Sequence, residues 1–123
     1  MLDDEKVSHG MLAGLSHPQL SHVISSIHAQ PEYPWSLDSM AELAFMSRSK
    51  FADLFREVLD ETPGEYLTNW RMVVAQNELL KGHSVSIVAD KVGYEKGSAL
   101  ARAFRKKTGS SPKAGQHAHL KNQ

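Results

Sequence analysis

Cations near the C-terminal end of this chain are the side chains best suited to binding a ligand. Lys96, Arg102, Arg105 and Lys106 lie within one short segment. Lysine and arginine donate hydrogen bonds to phosphate oxygens, and an arginine can also donate two to the edge of a guanine. The same residues could instead coat a solvated helix face. The repeat pattern of the chain favours the first interpretation.

The segment that carries these cations repeats an earlier segment. Residues 36–63 and 84–112 share one apolar pattern, offset by 48 positions at first and by 49 after a one-residue insertion. The first copy contains Leu37, Met40, Ala41, Ala44, Met46, Phe51, Leu54 and Phe55, and the second contains Val85, Val88, Ala89, Val92, Tyr94, Leu100, Ala103 and Phe104. Each copy predicts a short helix, a tight turn and a second helix, which is a helix-turn-helix. DNA binding is therefore the leading hypothesis.

The formal net charge of the chain is zero, but the charge is unevenly distributed. Residues 1–61 hold ten Asp/Glu and four Lys/Arg, whereas residues 84–123 hold two Asp/Glu and eight Lys/Arg. Because phosphate binding depends on local clusters of charge, the second copy is expected to anchor a nucleic acid more strongly than the first.

Composition argues against several other classes of protein. The 123 residues suffice for one compact unit or two very small ones. No apolar run approaches the roughly 18 residues that span a bilayer, and the acidic start is unlike a secretory signal, so we expect a cytoplasmic protein. With no cysteine and no histidine grouping at ligand spacing, we expect neither a metal nor a cofactor. No catalytic motif is present, so we do not expect an enzyme.

Helical periodicity and capping residues predict an all-α fold of about seven helices. We expect helices from Pro18 to Pro31, from Ser36 to Ala44, from Ser47 to Leu59, from Pro63 to Lys81, from Ser84 or Ser86 to Gly93 and from Lys96 to Thr108, followed by a short turn at Ser111 and Pro112. The predicted layout is a linker at 1–16, a first subdomain at 17–61, a connecting helix at 62–82, a second subdomain at 83–114 and a disordered tail at 115–123.

The two predicted turns differ in one residue. A helix-turn-helix turn usually needs a residue with positive φ, which suits Gly93 in the second copy. The equivalent residue in the first copy is Phe45, whose side chain is penalised in the left-handed region. The first turn is therefore expected to be either strained or differently shaped.

Three segments resemble the AraC/XylS family of transcription regulators. They read SMAELAFMSRSKF at 39–51, TPGEYLTNWRM at 62–72 and VGYEKGSALARAFRK at 92–106. The resemblance covers roughly residues 17–114 and is closest to the branch with an N-terminal cupin-type sensor. It implies two helix-turn-helix subdomains joined by one long helix, with a recognition helix from each in successive major grooves. No cupin-like strands precede residue 17, so a small-molecule effector would act only through a missing sensor domain. Whether the chain is a fragment or a stand-alone protein stays open.

The resemblance also implies a set of DNA contacts. Base contacts fall on Ser49, Ala52, Asp53, Gly97, Ser98, Ala99 and Arg102, and the candidate phosphate contacts are Arg48, Lys50, Arg56, Lys96, Arg105, Lys106 and Ser111. Asp53 repels phosphate but can accept from a cytosine amino group; alternatively, it pairs locally with Lys50 or Arg56. Since several of the base-reading residues are small, shape readout could be correspondingly larger.

A second interpretation remains open at this stage. The acidic first half and the small residues at base-reading positions also suit a protein-interaction module that docks on RNA polymerase or another regulator. Double-stranded DNA is the expected partner, and RNA polymerase is the possible one.

Overall fold

The computed structural model describes residues 17–109, and within that range every regular element is a helix. The six helices are α1 (Pro18–Ala29), α2 (Leu37–Leu43), α3 (Arg48–Leu59), α4 (Pro63–Leu80), α5 (Val85–Val92) and α6 (Gly97–Thr108). The all-α prediction is confirmed. The expected linker at 1–16, the short turn at Ser111 and Pro112, which would be the seventh helix, and the tail lie outside the described residues.

Side-chain caps explain where several of the helices begin. The hydroxyl oxygens of Ser36, Ser47 and Ser84 each accept a backbone N–H from the first turn of α2, α3 and α5. Each cap satisfies an amide that the helix itself leaves unpaired. Of the two serines considered for α5, Ser84 is therefore the cap.

Helix α4 begins with a reciprocal cap. The Glu65 amide donates to Thr62 Oγ1 (3.1 Å), and the Thr62 amide donates to Glu65 Oε1 (3.0 Å). Two backbone amides that the helix itself would leave unpaired, those of Thr62 and Glu65, therefore each have an acceptor. Glu65 in the first turn of α4 therefore has a specific role in capping the helix.

By the grouping of its contacts, the described chain forms two compact units. The first comprises residues 17–30 and 34–68, and the second comprises residues 31–33 and 69–109. In the first unit, α1 contacts α2 and α2 packs on α3. Its buried apolar side chains include Leu20, Val23, Ile24, Ile27, Met40, Ala41, Phe51 and Phe55.

The second unit has its own core. Helices α5 and α6 pack on each other, and the buried cluster contains Met72, Ala75, Leu79, Val88, Ala89, Val92, Leu100 and Phe104. Met72, Ala75 and Leu79 line one stripe of α4 at helical spacing. A carboxylate adds a polar contact between α4 and α5, since Lys91 Nζ donates to Glu78 Oε2 (3.1 Å).

The two helix-turn-helix turns share one backbone geometry. The Met46 amide donates to Ala41 O (3.0 Å) in the first copy, and the Tyr94 amide donates to Ala89 O (2.8 Å) in the second. The residue that permits this bond has positive φ in both copies, 57° at Phe45 and 91° at Gly93. Of the two shapes considered for the first turn, the strained one is therefore observed. The Phe45 side chain gains nothing from burial, because it is 88% exposed.

We predict that Phe45→Gly stabilises the protein. The substitution removes a left-handed strain of about 1–2 kcal/mol and loses about 0.5–1 kcal/mol to the greater freedom of unfolded glycine, so the unfolding free energy should rise by up to roughly 1.5 kcal/mol. Urea denaturation followed by circular dichroism measures it. The matched control is Gly93→Ala, which should destabilise because a Cβ there would lie 2.9 Å from Arg71 Nη2 and 3.1 Å from Glu32 Cα and O. A loss of stability in Phe45→Gly would contradict the prediction.

A histidine and a tyrosine share a part-buried hydrogen bond in the first unit. His28 Nε2 lies 2.6 Å from Tyr66 Oη, and the two rings are stacked with centroids 5.9 Å apart. Burial lowers the pKa of His28 from its usual 6.5. Burial, aided by nearby Glu61, raises the pKa of Tyr66 to about 12. The pair is therefore held neutral near pH 7.

We predict that stability falls as the pH is lowered through the His28 titration. Since the folded-state pKa is depressed, the unfolded chain binds the proton first below about pH 6.5, and the contribution of the neutral pair is lost as the pH falls through the folded-state value. In urea titrations at pH 7.5 and pH 5, the stability gap between wild type and His28→Gln should narrow at the lower pH. The same substitution at exposed His22 controls for loss of an imidazole from α1. A gap that stays constant or widens would refute the assignment.

Candidate nucleic-acid interface

Helix α3 is the candidate recognition helix of the first motif. Its inward face carries Phe51 and Phe55, both fully buried and in contact with each other. Because this face is buried in the core, the opposite face of α3 is exposed to solvent. The exposed residues there are Arg48, Ser49, Lys50, Asp53 and Arg56, with Ala52 partly buried among them. The structure thus brings all six candidate contacts of this motif onto one helix.

Arg48 already has an acidic partner. Its Nε lies 3.3 Å from Asp38 Oδ1 on α2, and both side chains are about two-thirds exposed or more. An exposed pair of this kind contributes about 0–1 kcal/mol and is screened by salt. A phosphate could displace Asp38, but the carboxylate lowers the positive potential that Arg48 offers.

Asp53 is free of the local pairing considered from sequence. Among residues 17–109, no ion pair within 4.0 Å joins Asp53 to Lys50 or Arg56. Asp53 and Arg56 instead border a groove of about 380 Å³, whose apolar lining comes mainly from Trp35, Leu37, Met40, Pro63 and Leu67. The carboxylate is therefore available to accept a hydrogen bond from outside the helix.

Helix α6 is the candidate recognition helix of the second motif. Leu100 and Phe104 are buried in the core. Ser98, Arg102, Arg105 and Lys106 are exposed, as is Lys96 at the N-cap. Since Lys96 supplies no side-chain cap, the amides at the start of α6 are left without a side-chain acceptor. Ser111 lies outside the described residues.

Gly97 and Ala99 are partly buried and offer less to a ligand than their exposed neighbours. A Cβ on Gly97 would lie 3.4 Å from Val85 Cγ1 and 3.6 Å from the Ser86 backbone. Position 97 therefore points at α5, and a DNA contact there would have to use the backbone. Because these are ordinary van der Waals distances, the packing against α5 does not itself require glycine at position 97.

Arg71 is a residue of this region whose role sequence reasoning did not identify. Its guanidinium donates to two backbone carbonyls. Arg71 Nε lies 2.9 Å from Pro31 O, and Nη2 lies 2.9 Å from Tyr33 O. Burial lowers the pKa of Arg71, while Tyr94 and Glu32 act in the opposite direction.

Glu78 links the end of α4 to α5. Besides Lys91, the carboxylate lies near Lys81 Nζ (3.5 Å) and His83 Nε2 (3.3 Å). The hydrogen bond from Lys91 is the main cause of a lowered pKa at Glu78. Lys81 and Lys91 are thereby paired within the unit although both side chains are exposed, whereas in the range 17–109 no ion pair within 4.0 Å involves the cations of α6.

The two units carry opposite charge. In the first unit, residues 17–30 and 34–68 hold seven Asp/Glu and three Lys/Arg, whereas in the second, residues 31–33 and 69–109 hold four Asp/Glu and eight Lys/Arg. The imbalance noted along the sequence is therefore also one between compact units.

Other kinds of site find little support in the described residues. Between positions 17 and 109, no three His, Cys, Asp or Glu side chains are grouped so that they could hold a metal ion. Over the same range, none of the helices is long and apolar enough to cross a membrane.

The chain has two helix-turn-helix motifs, and each ends in a helix with a solvent-facing polar side. Comparison with known proteins shows which family has this arrangement. A family model described as a helix-turn-helix domain matches residues 40–117. The HTH-type transcriptional regulator AlkR of Acinetobacter baylyi is 44% identical over 114 residues, which cover 91% of this chain and 36% of that protein. A putative AraC-like transcription regulator of Streptomyces lividans is 36% identical, over 84% of this chain and 34% of that protein.

Solved structures agree with these matches. The DNA-binding domain of AdpA, crystallised in complex with a target DNA, superposes with a TM-score of 0.77 at 30% identity and covers 84% of this chain and 94% of that one. The C-terminal domain of AraT from Geobacillus stearothermophilus, at 24% identity and a TM-score of 0.78, has the same fold over 83% of this chain and 86% of that one. The chain therefore belongs to the helix-turn-helix family of AraC-type DNA-binding domains. It spans about a third of the length of the curated relatives cited above.

We predict that the two motifs contribute unequally to the salt dependence of DNA binding. Each cation that neutralises a phosphate adds about 0.9 to the slope of log affinity against log salt. Neutralising Lys96, Arg105 and Lys106 together to glutamine should flatten this slope more than neutralising Arg48, Lys50 and Arg56, because Arg48 is paired and its unit is acidic. Fluorescence anisotropy with a labelled duplex at several salt concentrations measures the slope for each triple variant. Equal flattening by the two triple variants would show that both motifs anchor alike.

Proposed function

We propose that this chain binds double-stranded DNA sequence-specifically, as the DNA-reading module of a bacterial transcription regulator. The observation that carries the proposal is the repeated turn: both motifs hold the same turn geometry, and each presents an exposed polar helix face directly after it. In a helix-turn-helix, that second helix enters the major groove with its N-terminal half against base edges. The likeness to the AdpA domain, whose structure contains a target DNA, supports the assignment.

In this proposal the two helices divide the contacts between bases and phosphates. Side chains of Ser49, Ala52, Asp53, Ser98, Ala99 and Arg102 face bases, Gly97 contributes through its backbone, and Arg48, Lys50, Arg56, Lys96, Arg105, Lys106 and Ser111 face phosphates. Arg102 is the strongest candidate for direct readout, because it is exposed on α6 and a guanidinium can bind guanine O6 and N7 together. Asp53 would accept from a cytosine amino group.

The proposed layout is a first subdomain at 17–61, a connecting helix at 62–82 and a second subdomain at 83–114. Because the curated relatives are roughly three times as long as the matched region, a small-molecule effector would act through a sensor domain of the kind that such longer proteins could carry. Two recognition helices on one chain would let a monomer protect two adjacent groove segments of unrelated sequence.

A second candidate is a protein-interaction module that docks on RNA polymerase or another regulator. Two observations in the first unit favour it. Phe45 is almost fully exposed although it stands in a strained turn, and the unit carries more than twice as many acids as bases. Backbone strain that burial does not compensate is often associated with function.

Selection from a pool of random duplexes, followed by salt titration, separates the two candidates. DNA binding predicts an enriched sequence and an affinity that falls as salt rises. An interaction module predicts weak binding to every duplex at every salt concentration. Footprinting on the enriched duplex should protect two segments about one helical turn apart, whereas protection of one segment would limit DNA contact to a single motif.

We predict that Arg102→Ala weakens binding to the selected duplex by about 1–3 kcal/mol and relaxes preference at one base pair. Asp53→Asn serves as a contrasting variant on the other helix. If Asp53 reads a cytosine, this variant should weaken binding to the selected duplex, while removal of a negative charge slightly strengthens binding to random duplex. Equal losses on both duplexes for Arg102→Ala would show that Arg102 contacts phosphate only.

A further inference from the structure

Arg71 holds a short loop segment against the turn of the second motif. Its guanidinium donates to two carbonyls of that segment, Pro31 O and Tyr33 O, each at 2.9 Å. The rigid, planar donor group of arginine suits two acceptors placed side by side, and bonds from a charged donor are stronger than neutral ones. Residues 31–33 group with the second unit, although the residues on either side of them belong to the first.

The same guanidinium also lies over the ring of Tyr94. The Arg71 Cζ atom lies 5.7 Å from the centroid of the Tyr94 ring, within the range of a cation–π contact. Tyr94 is partly buried against the apolar core of the second unit. Its ring is thus held between the core and Arg71, and its amide closes the turn on Ala89 O.

Gly93 lets the loop segment approach this closely. Besides its positive φ, a Cβ there would lie 3.1 Å from both Cα and O of Glu32 and 2.9 Å from Arg71 Nη2. Gly93 itself remains exposed to solvent, as does Phe45 at the equivalent position of the first copy. What a side chain at position 93 would exclude is the close approach of Glu32 and Arg71.

We infer that Arg71 is a positioning residue for sequence reading by α6. The inference rests on the proposed function. Only Glu95 and Lys96 separate Tyr94 from the start of α6 at Gly97, so the placement of Tyr94 sets the direction in which the helix begins. Ser98 and Arg102 lie in its first two turns, where a small change in direction moves them relative to base edges. Arg71 itself touches no base or phosphate in this scheme.

The test compares Arg71→Lys with Ala75→Gly, one turn further along α4. A lysine keeps the charge but loses the planar fork and the stacking on Tyr94. Ala75 is buried, and its change to glycine lowers helix stability without touching the loop segment or the turn. Both variants are examined at a temperature at which each is fully folded, and Arg71→Met, which removes every donor, should shift each measurement further in the same direction as Arg71→Lys.

The first measurement is amide hydrogen exchange by NMR. Arg71→Lys should speed exchange at the Tyr94 amide about tenfold more than Ala75→Gly does, the change expected from losing one charge-assisted hydrogen bond. The second is the ratio of affinities for the selected and a scrambled duplex. It should fall about tenfold in Arg71→Lys and remain unchanged in Ala75→Gly, while both variants keep the wild-type salt slope.

Two results would overturn the inference. If both variants shift the Tyr94 amide and the affinity ratio equally, Arg71 contributes only general stability. If Arg71→Met, which removes the charge, lowers the salt slope, Arg71 binds phosphate directly. A wild-type protein that enriches no duplex would overturn the proposed function instead. The exchange measurement would then still show whether Arg71 holds the turn.

Discussion

Both motifs depend on one backbone constraint, a left-handed residue between their two helices. Only with positive φ at that residue can the next amide turn back to the carbonyl near the end of the preceding helix, at Ala41 in one copy and Ala89 in the other. That bond ends the first helix, and the serine or lysine N-cap begins the next within a few residues. The small side chains of Ala41 and Ala89 are buried and leave room for the second helix to cross. The exposed face of each second helix follows from this geometry.

The two copies meet this constraint in different ways. Gly93 adopts the conformation without a steric penalty, and its missing Cβ leaves space for Glu32 and Arg71 beside the turn. Phe45 adopts it at a cost, and its side chain stands in solvent. The charges of the two units differ as well, because the Gly93 turn belongs to the basic unit and the Phe45 turn to the acidic one.

Most of the helices and turns could be predicted from residues that are close together in the sequence. The repeat, the serine caps and Gly93 are each read within a few residues, and the helices begin and end close to where these signals predict. Contacts between distant residues could not be read in this way. Arg71 donates to carbonyls 38 and 40 positions away. Every residue has a backbone carbonyl, so the sequence does not show which carbonyl accepts the bond. The shape of the Phe45 turn was also undecided, because local sterics disfavour a conformation that packing and the Met46 hydrogen bond require. Most of the candidate contact residues on α3 and α6 are exposed, whereas Ala52, Gly97 and Ala99 are partly buried. Which of them touches a base is still a prediction.

Under the proposed function, the acidic side chain of Asp53 on α3 also has a physical explanation. Asp53 repels every phosphate, so it weakens binding to all sequences alike, whereas a cytosine amino group placed opposite would offset that repulsion at one kind of site only. Such a residue lowers affinity but raises the ratio of specific to non-specific binding, which is the quantity that matters among many competing sites. Under the same proposal the cations of α6 would supply most of the attraction to phosphate, because Arg48, Lys50 and Arg56 of the first motif lie in a unit with more acids than bases. The second motif would then anchor the protein to phosphates, and the first would discriminate between base sequences. Both roles follow from the uneven distribution of charge along a chain whose formal net charge is zero.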